Sequence, residues 1–200
     1  MKNYRFNLLA AGVIAVTLAC PTAHAATRTW SNAAGGDFNT AANWGGTVPV
    51  GSDFGSFTSV LSGNVTLSAN ATPSSLYFDT SAGSFTLGAL GGYTLSPANG
   101  GSLSVQVTLT GSNKIFTVNA PLVLTPGSAT TAGSGTLQNN ATDASNILVS
   151  AGGISSATTT NTETLTLGGT NTGANLISGA ISNGLATTFA LVKAGTGLWN

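Results

Sequence analysis

Short apolar runs recur through most of the chain, and clusters of Gly, Asn, Ser and Thr separate almost all of them. The runs fall at 65–68, 76–78, 85–87, 93–95, 103–109, 115–118, 122–124, 136–138 and 147–149, then at Leu165/Leu167, Leu176/Ile177, Ile181 and Phe189/Leu191. Runs this short, bounded by residues that favour turns, predict brief strands rather than helices. The clearest is 103–109, where Leu103, Val105, Val107 and Leu109 alternate with Ser104, Gln106 and Thr108 and so line one face of a strand. Beyond residue 25 no window of helical length carries a 3.6-residue period. Few charges with much Gly, Ser, Thr and Asn would also suit a disordered chain, but aliphatics on alternate positions predict ordered β-structure. Many short strands fit a sandwich, a barrel or a solenoid, and their pattern does not choose among the three.

The first 25 residues read differently. Lys2 and Arg5 precede an uncharged run of about twelve residues, 8–19, and Ala23-His-Ala25 then offers a small-x-small cleavage site. This is the layout of a secretory signal peptide, cut between Ala25 and Ala26. The run is short of the roughly 20 residues that a membrane-spanning helix needs. A second processing route is a loose lipoprotein box at Leu18-Ala19-Cys20, weakened by Thr17 at a position where leucine is usual. Cleavage after Ala25 removes Cys20 and His24, the only cysteine and the only histidine. The expected location is therefore secreted or on the outer cell surface, with order supplied by packing rather than by disulfides.

What remains, about 175 residues, carries Arg28, Lys114 and Lys193 against Asp37, Asp53, Asp79, Asp143 and Glu163, a net of −2. Three scattered cations make no phosphate-binding patch, so nucleic acid is not an expected partner. Without an imidazole or thiol, the mature chain lacks the proton acceptor of a Ser-His or Cys-His hydrolase and the ligands of a His/Cys metal site. Nothing calls for a cofactor. We therefore expect no enzyme activity from residues 26–200.

The wording of residues 165–200 is specific. Leu165-Thr-Leu-Gly-Gly-Thr-Asn-Thr-Gly173, Ile177-Ser-Gly-Ala-Ile-Ser182 and Leu191-Val-Lys-Ala-Gly-Thr-Gly-Leu-Trp-Asn200 together resemble the autotransporter-associated β-strand repeat of large bacterial surface proteins. The order Trp30, Gly36-Asp37, Asn43-Trp44, Val48-Pro49 and Asp53 is similar to the N-terminal opening of proteins that carry this repeat. The resemblance implies an all-β fold, a right-handed parallel β-helix (solenoid), behind the cleaved signal peptide and an aromatic-rich cap. The expected layout is signal peptide 1–25, Trp/Gly-rich cap segment 26–62 and β-solenoid coils 63–200. Coils of roughly 20–25 residues would give about seven or eight, stacked into a rod of ~35 Å. The function so implied is a non-catalytic structural or display scaffold, a stalk or adhesin passenger, with a surface glycan or a neighbouring cell as its partner. In the family the phrase at 193–200 runs on into further repeats, so we also expect self-association through an open C-terminal edge.

Individual side chains admit sharper readings. Asp37 and Asp53 are candidate calcium ligands, although aspartate in glycine-rich turns more often caps backbone amides. Asp143 and Glu163, twenty residues apart, could face one another across one coil as the acid and base of a glycosidase. Neither has an aromatic or basic neighbour in sequence to shape a sugar subsite. Trp30, Phe38 and Trp44 suit either an exposed carbohydrate platform, which would make the chain a carbohydrate-binding module, or the lid of a solenoid end. A third reading is the scaffold part of a β-helix polysaccharide-degrading enzyme. Lys193 is expected to point outward with its stem along the coil. Trp199 stands where the repeat commonly has an aliphatic residue, which leaves its packing open.

Overall fold

The computed structural model describes residues 25–58, 63–79, 84–97, 102–108, 111–125, 133–157 and 162–200. Residues 1–24 of the expected signal sequence, with Cys20 and His24, lie outside the described residues, as does Leu109. Within them the chain forms fifteen short strands and one 3-10 turn, Ala41–Trp44. In chain order the strands are β1 (Thr27–Thr29), β2 (Gly36–Asp37), β3 (Phe54–Phe57), β4 (Val65–Thr66), β5 (Ser75–Phe78), β6 (Phe85–Leu87), β7 (Ser102–Val107) and β8 (Ile115–Val118). They continue with β9 (Leu122–Leu124), β10 (Ser134–Asn139), β11 (Ile147–Ser150), β12 (Ile154–Ser156), β13 (Thr162–Gly169), β14 (Leu176–Ile177) and β15 (Thr188–Lys193).

Every strand pairing is parallel, and no strand pairs with its neighbour in sequence. Sheet A stacks β1-β3-β5-β7-β10-β13-β15, sheet B stacks β2-β4-β6-β8-β11-β14, and sheet C pairs β9 with β12. Sheet C is extended by single bridges from Ala71 to Leu95, Leu95 to Leu122 and Ile154 to Ile181. Parallel pairing obliges the chain to travel round two other faces before it returns, which is the path of a β-solenoid. Thr27, Phe54, Ser75, Ser104, Thr136, Thr166 and Val192 stand in one register row, so a coil takes between 21 and 32 residues. The expected 20–25 was too short and the expected count too high. Corner loops such as 140–146, whose side chains give no strand signal, account for the extra length.

Most of the strands stand where the apolar runs lie. Tyr93 is half-exposed, and only Leu95 of that run enters a sheet. Strands β1, β2 and β12 carry too few aliphatics to be seen beforehand.

The inward rows make the core. In the early coils they are aromatic: Phe57 stacks on Phe78 at 5.3 Å between ring centres, Phe78 on Phe116 at 5.5 Å, and Phe85 meets Phe116 edge-on at 5.3 Å. Rings at successive coils are held near the ~4.8 Å strand spacing, so each row is a continuous stack. Leu76, Val105 and Leu137 fill the adjoining row of sheet A, all wholly or almost wholly buried. Each such side chain contributes about 1.5–3 kcal/mol.

Further along, the same rows change character. The row of Phe57, Phe78 and Val107 continues as Asn139 and Gly169, and the row of Phe85, Phe116 and Leu148 continues as Asn175. Asn139 Nδ2 donates to Asn175 Oδ1 at 2.6 Å and to the Asn146 carbonyl, while Asn175 Oδ1 accepts from the Leu148 amide at 3.0 Å. Asn171 repeats the device, donating to the carbonyls of Ala141 and Asp143 and accepting from the Gly173 amide. These asparagines satisfy backbone groups that the corners bury. Gly169 permits the turn, because its φ is +105° and a Cβ there would overlap the Asn139 carbonyl.

Candidate functional site

The tryptophan segment is internal. Trp30 and Phe38 have no exposed surface and Trp44 is 3% exposed. Trp44 meets Trp30 edge-on at 5.0 Å and Phe38 at 4.8 Å, and both tryptophans lie against Phe57 of β3. Both indole N–H groups are used, Trp44 Nε1 donating to the Phe38 carbonyl at 2.6 Å and Trp30 Nε1 to the Asn32 carbonyl at 2.5 Å. The 3-10 turn swings Trp44 over the first coil and ends at Gly45 with φ +68°. Trp30 and Trp44 thus close the N-terminal end of the core. Of the two readings open for Trp30 and Trp44, their burial fits the lid, and neither ring offers a face to stack on a sugar.

The carboxylates do not converge. Asp37 Oδ1 accepts from the amides of Asn39 and Ser68, both at 3.1 Å, and Oδ2 accepts from the Ser68 hydroxyl at 2.6 Å and from that of Thr40 at 3.3 Å. Burial alone would push this carboxyl up, but the bonds from Ser68, Asn39 and Thr40 outweigh it and hold it below the ordinary value. Asp53 Oδ1 accepts from the Ala26 amide at 2.9 Å, and Oδ2 pairs with Arg28 Nε at 3.0 Å, the one ion pair among the described residues. Here too burial is overcome, by the Ala26 amide and then by Arg28, and the carboxyl lies below its ordinary value. Each aspartate ties an early coil to its neighbour. Among the described residues no group of three His, Cys, Asp or Glu side chains gathers as a metal site would need.

Asp143 caps its own turn, accepting from the Ser145 hydroxyl at 2.6 Å and the Ser145 amide at 2.8 Å, which lower its carboxyl. Glu163 lies at the start of β13, whereas Asp143 follows Asn139, the partner of Gly169 at the strand's far end. Six residues of strand, ~20 Å, separate the two positions. The acid and base pairing considered for Asp143 and Glu163 is therefore not formed. Glu163 is wholly buried, with no hydrogen bond to either carboxylate oxygen.

The C-terminal coil is open. Leu191, Val192 and Leu198 are 55%, 42% and 47% exposed, and β15 has a partner strand, β13, on one side only. Leu167, Ile177, Ile181, Leu191 and Trp199 line an apolar depression of about 470 Å³. Trp199 is half-buried, packs on the core and donates from Nε1 to the Gly168 carbonyl at 3.0 Å, so its larger ring bridges back to the previous coil. Lys193 is exposed although its strand phase is that of an inward row. It pairs in register with Leu167, an inward residue, and its amine turns back to the carbonyls of Ala194 and Gly195 at 3.1 and 2.9 Å.

The outward face of sheet A is a polar surface that sequence alone did not single out. Ser102, Ser134 and Thr164 form one row of hydroxyls, and Ser104, Thr136 and Thr166 the next. The Ser102 and Ser134 hydroxyls bond directly. Beside them Thr136, Gln138, Asn140, Thr166 and Gly168 border a groove of about 320 Å³. The rows follow from register, which one sequence does not reveal. Comparison with protein-family models, with curated proteins and with solved structures finds no match.

Proposed function

We propose that residues 26–200 belong to an exported, non-catalytic β-solenoid that serves as a stalk or display scaffold of a bacterial surface or secreted protein. The observation that carries this reading is the register row from Thr27 to Val192, seven strands paired in parallel along one axis. Such a stack converts sequence length into reach, since each coil adds ~4.8 Å. The wording of 165–200, similar to the autotransporter-associated repeat, and the export layout of residues 1–25 support it. In the test, an epitope is inserted at Gly91, an exposed turn with open space around it, and intact cells are probed. Surface labelling of a protein whose first residue is Ala26 is expected. Retention in the cytoplasm with Met1 in place would overturn the reading.

A second reading concerns the partner. The groove beside Thr136, Gln138 and Thr166 presents hydroxyls and amides without a charged lining residue, which suits a neutral glycan better than an acidic one. Glycan-array binding that Thr136→Ala and Gln138→Ala abolish would support it; binding unchanged in both would remove it. The single-sided β15 also favours self-association, which light scattering of residues 26–200 tests through growth of mass with concentration.

A further inference from the structure

Glu163 is the only glutamate of the chain, and strand phase turns it inward. Along β13, Thr162, Thr164 and Thr166 face out while Glu163, Leu165 and Leu167 face in. One coil earlier the same row holds Gly133, since Ser134 pairs with Thr164. A Cβ at Gly133 would overlap the carboxylate, so the missing side chain is what makes room for it. One coil later the row holds Phe189. The carboxyl thus lies between a bare backbone and an aromatic ring. The backbone of Gly133 and the hydroxyl of Ser156 lie beside the carboxyl and favour its charged form, against the effect of burial.

No charge among the described residues offsets it. The described residues of the elements packed around this position, β9, β10, β12 and β15, include one charged side chain, Lys193. Lys193 stacks on Leu167, four residues along the strand and ~13 Å from Glu163, and its amine is held by two carbonyls. Burial disfavours the carboxylate and raises the group above its ordinary value. A group with a raised folded-state value stabilises the fold fully below its unfolded value and loses that contribution as pH rises through the raised one.

We propose that Glu163 is a proton-operated latch on the C-terminal coils, holding β13 and β15 closed while its carboxyl is neutral and loosening them when it ionises. The coils tighten in acid and open toward neutral pH, in the part of the molecule that presents the unpaired β15 edge. The latch rests on the fold alone and stands whether or not the scaffold reading does.

Because Glu163 is unique, glutamate labelled with ¹³C at its carboxyl gives one signal in the full-length chain. Its titration is followed together with amide hydrogen exchange, corrected for intrinsic rates. A midpoint above the ordinary ~4.3 is expected, with exchange in β13 and β15 rising about tenfold across it while β3 and β5 stay unchanged. Glu163→Gln should keep β13 and β15 protected over the same range. The latch is overturned by a midpoint at or below the ordinary value, by a raised midpoint that leaves exchange unmoved, or by a Glu163→Gln chain that loosens as the wild type does. If that variant does not fold, the labelled wild-type chain still decides the matter.

Discussion

The first and last coils of residues 25–200 are covered in opposite ways. Any stack of coils exposes the interior of its first and last members. At the N-terminal end Trp30, Phe38 and Trp44 fill that opening, and both indole N–H groups are already bonded. At the C-terminal end Leu191, Leu198 and Trp199 surround an apolar depression, and β15 keeps one unpaired edge. The interior follows the same trend, from stacked phenylalanines to asparagines and one glutamate. Cohesion in the early coils is therefore mainly apolar, with Asp37 and Asp53 adding a part that is lost only in acid, whereas in the late coils it depends on buried polar groups finding partners.

Substitutions at the two ends break or sharpen this comparison. The largest effect is expected at Phe57, which touches Trp30, Trp44, Phe78 and Phe85. Phe57→Ala should cost about 3–5 kcal/mol in denaturant unfolding. Leu191→Ala, at a half-exposed site, should cost under about 1 kcal/mol. Equal losses would erase the distinction between the ends.

Next comes the asparagine network. Asn175→Ala removes the acceptor of the Leu148 amide and of Asn139 Nδ2, and the donor to the Leu198 carbonyl. A loss of about 2 kcal/mol is expected, the cost of a buried donor left unpaired. Exchange should rise at β11 and β14 first, with β3 unaffected.

Smaller still is the acid limb of the pH profile. Asp53 is held below its ordinary value, so its contribution is present above the unfolded value and is lost as pH falls through the lowered one. Asp53→Asn should cost up to about 1 kcal/mol near neutrality, since Arg28 is partly exposed, and nothing in strong acid. If the chain is cut after Ala25, the Ala26 nitrogen that donates to Asp53 becomes an ammonium. The mature form should then lose more on this substitution than a chain that keeps residue 25, and equal losses would exclude that ion pair. Lys193→Ala, at an exposed site, should change stability by less than about 0.5 kcal/mol.

Much of the fold could be read beforehand, because Leu103, Val105 and Val107, or Leu165 and Leu167, declare their face by alternation. The parallel stacking came from the wording of 165–200 and not from periodicity. What escaped notice has a common cause. Asn139, Asn175 and Glu163 occupy inward phases, where a rule that sends polar residues outward misplaces them. Glu163 keeps perfect step with Leu165 and Leu167, so its phase was legible while its chemistry argued against it. Coil length stayed hidden because it is set by corners, whose Asn, Asp and Ser bonds become visible only once their distant carbonyls are placed.

The central claim is that coils stack in a single register from the closed end to the open one. In a Cys20→Ser chain, spin labels at Thr27 and Val192, both exposed, mark the ends of the row Thr27, Phe54, Ser75, Ser104, Thr136, Thr166 and Val192. Pulsed electron spin resonance should give one narrow distance near the ~29 Å of six strand spacings, and near ~14 Å for labels at Ser104 and Val192. A distance from Thr27 to Val192 no longer than that from Ser104 to Val192, or a broad distribution for both pairs, would contradict the stack.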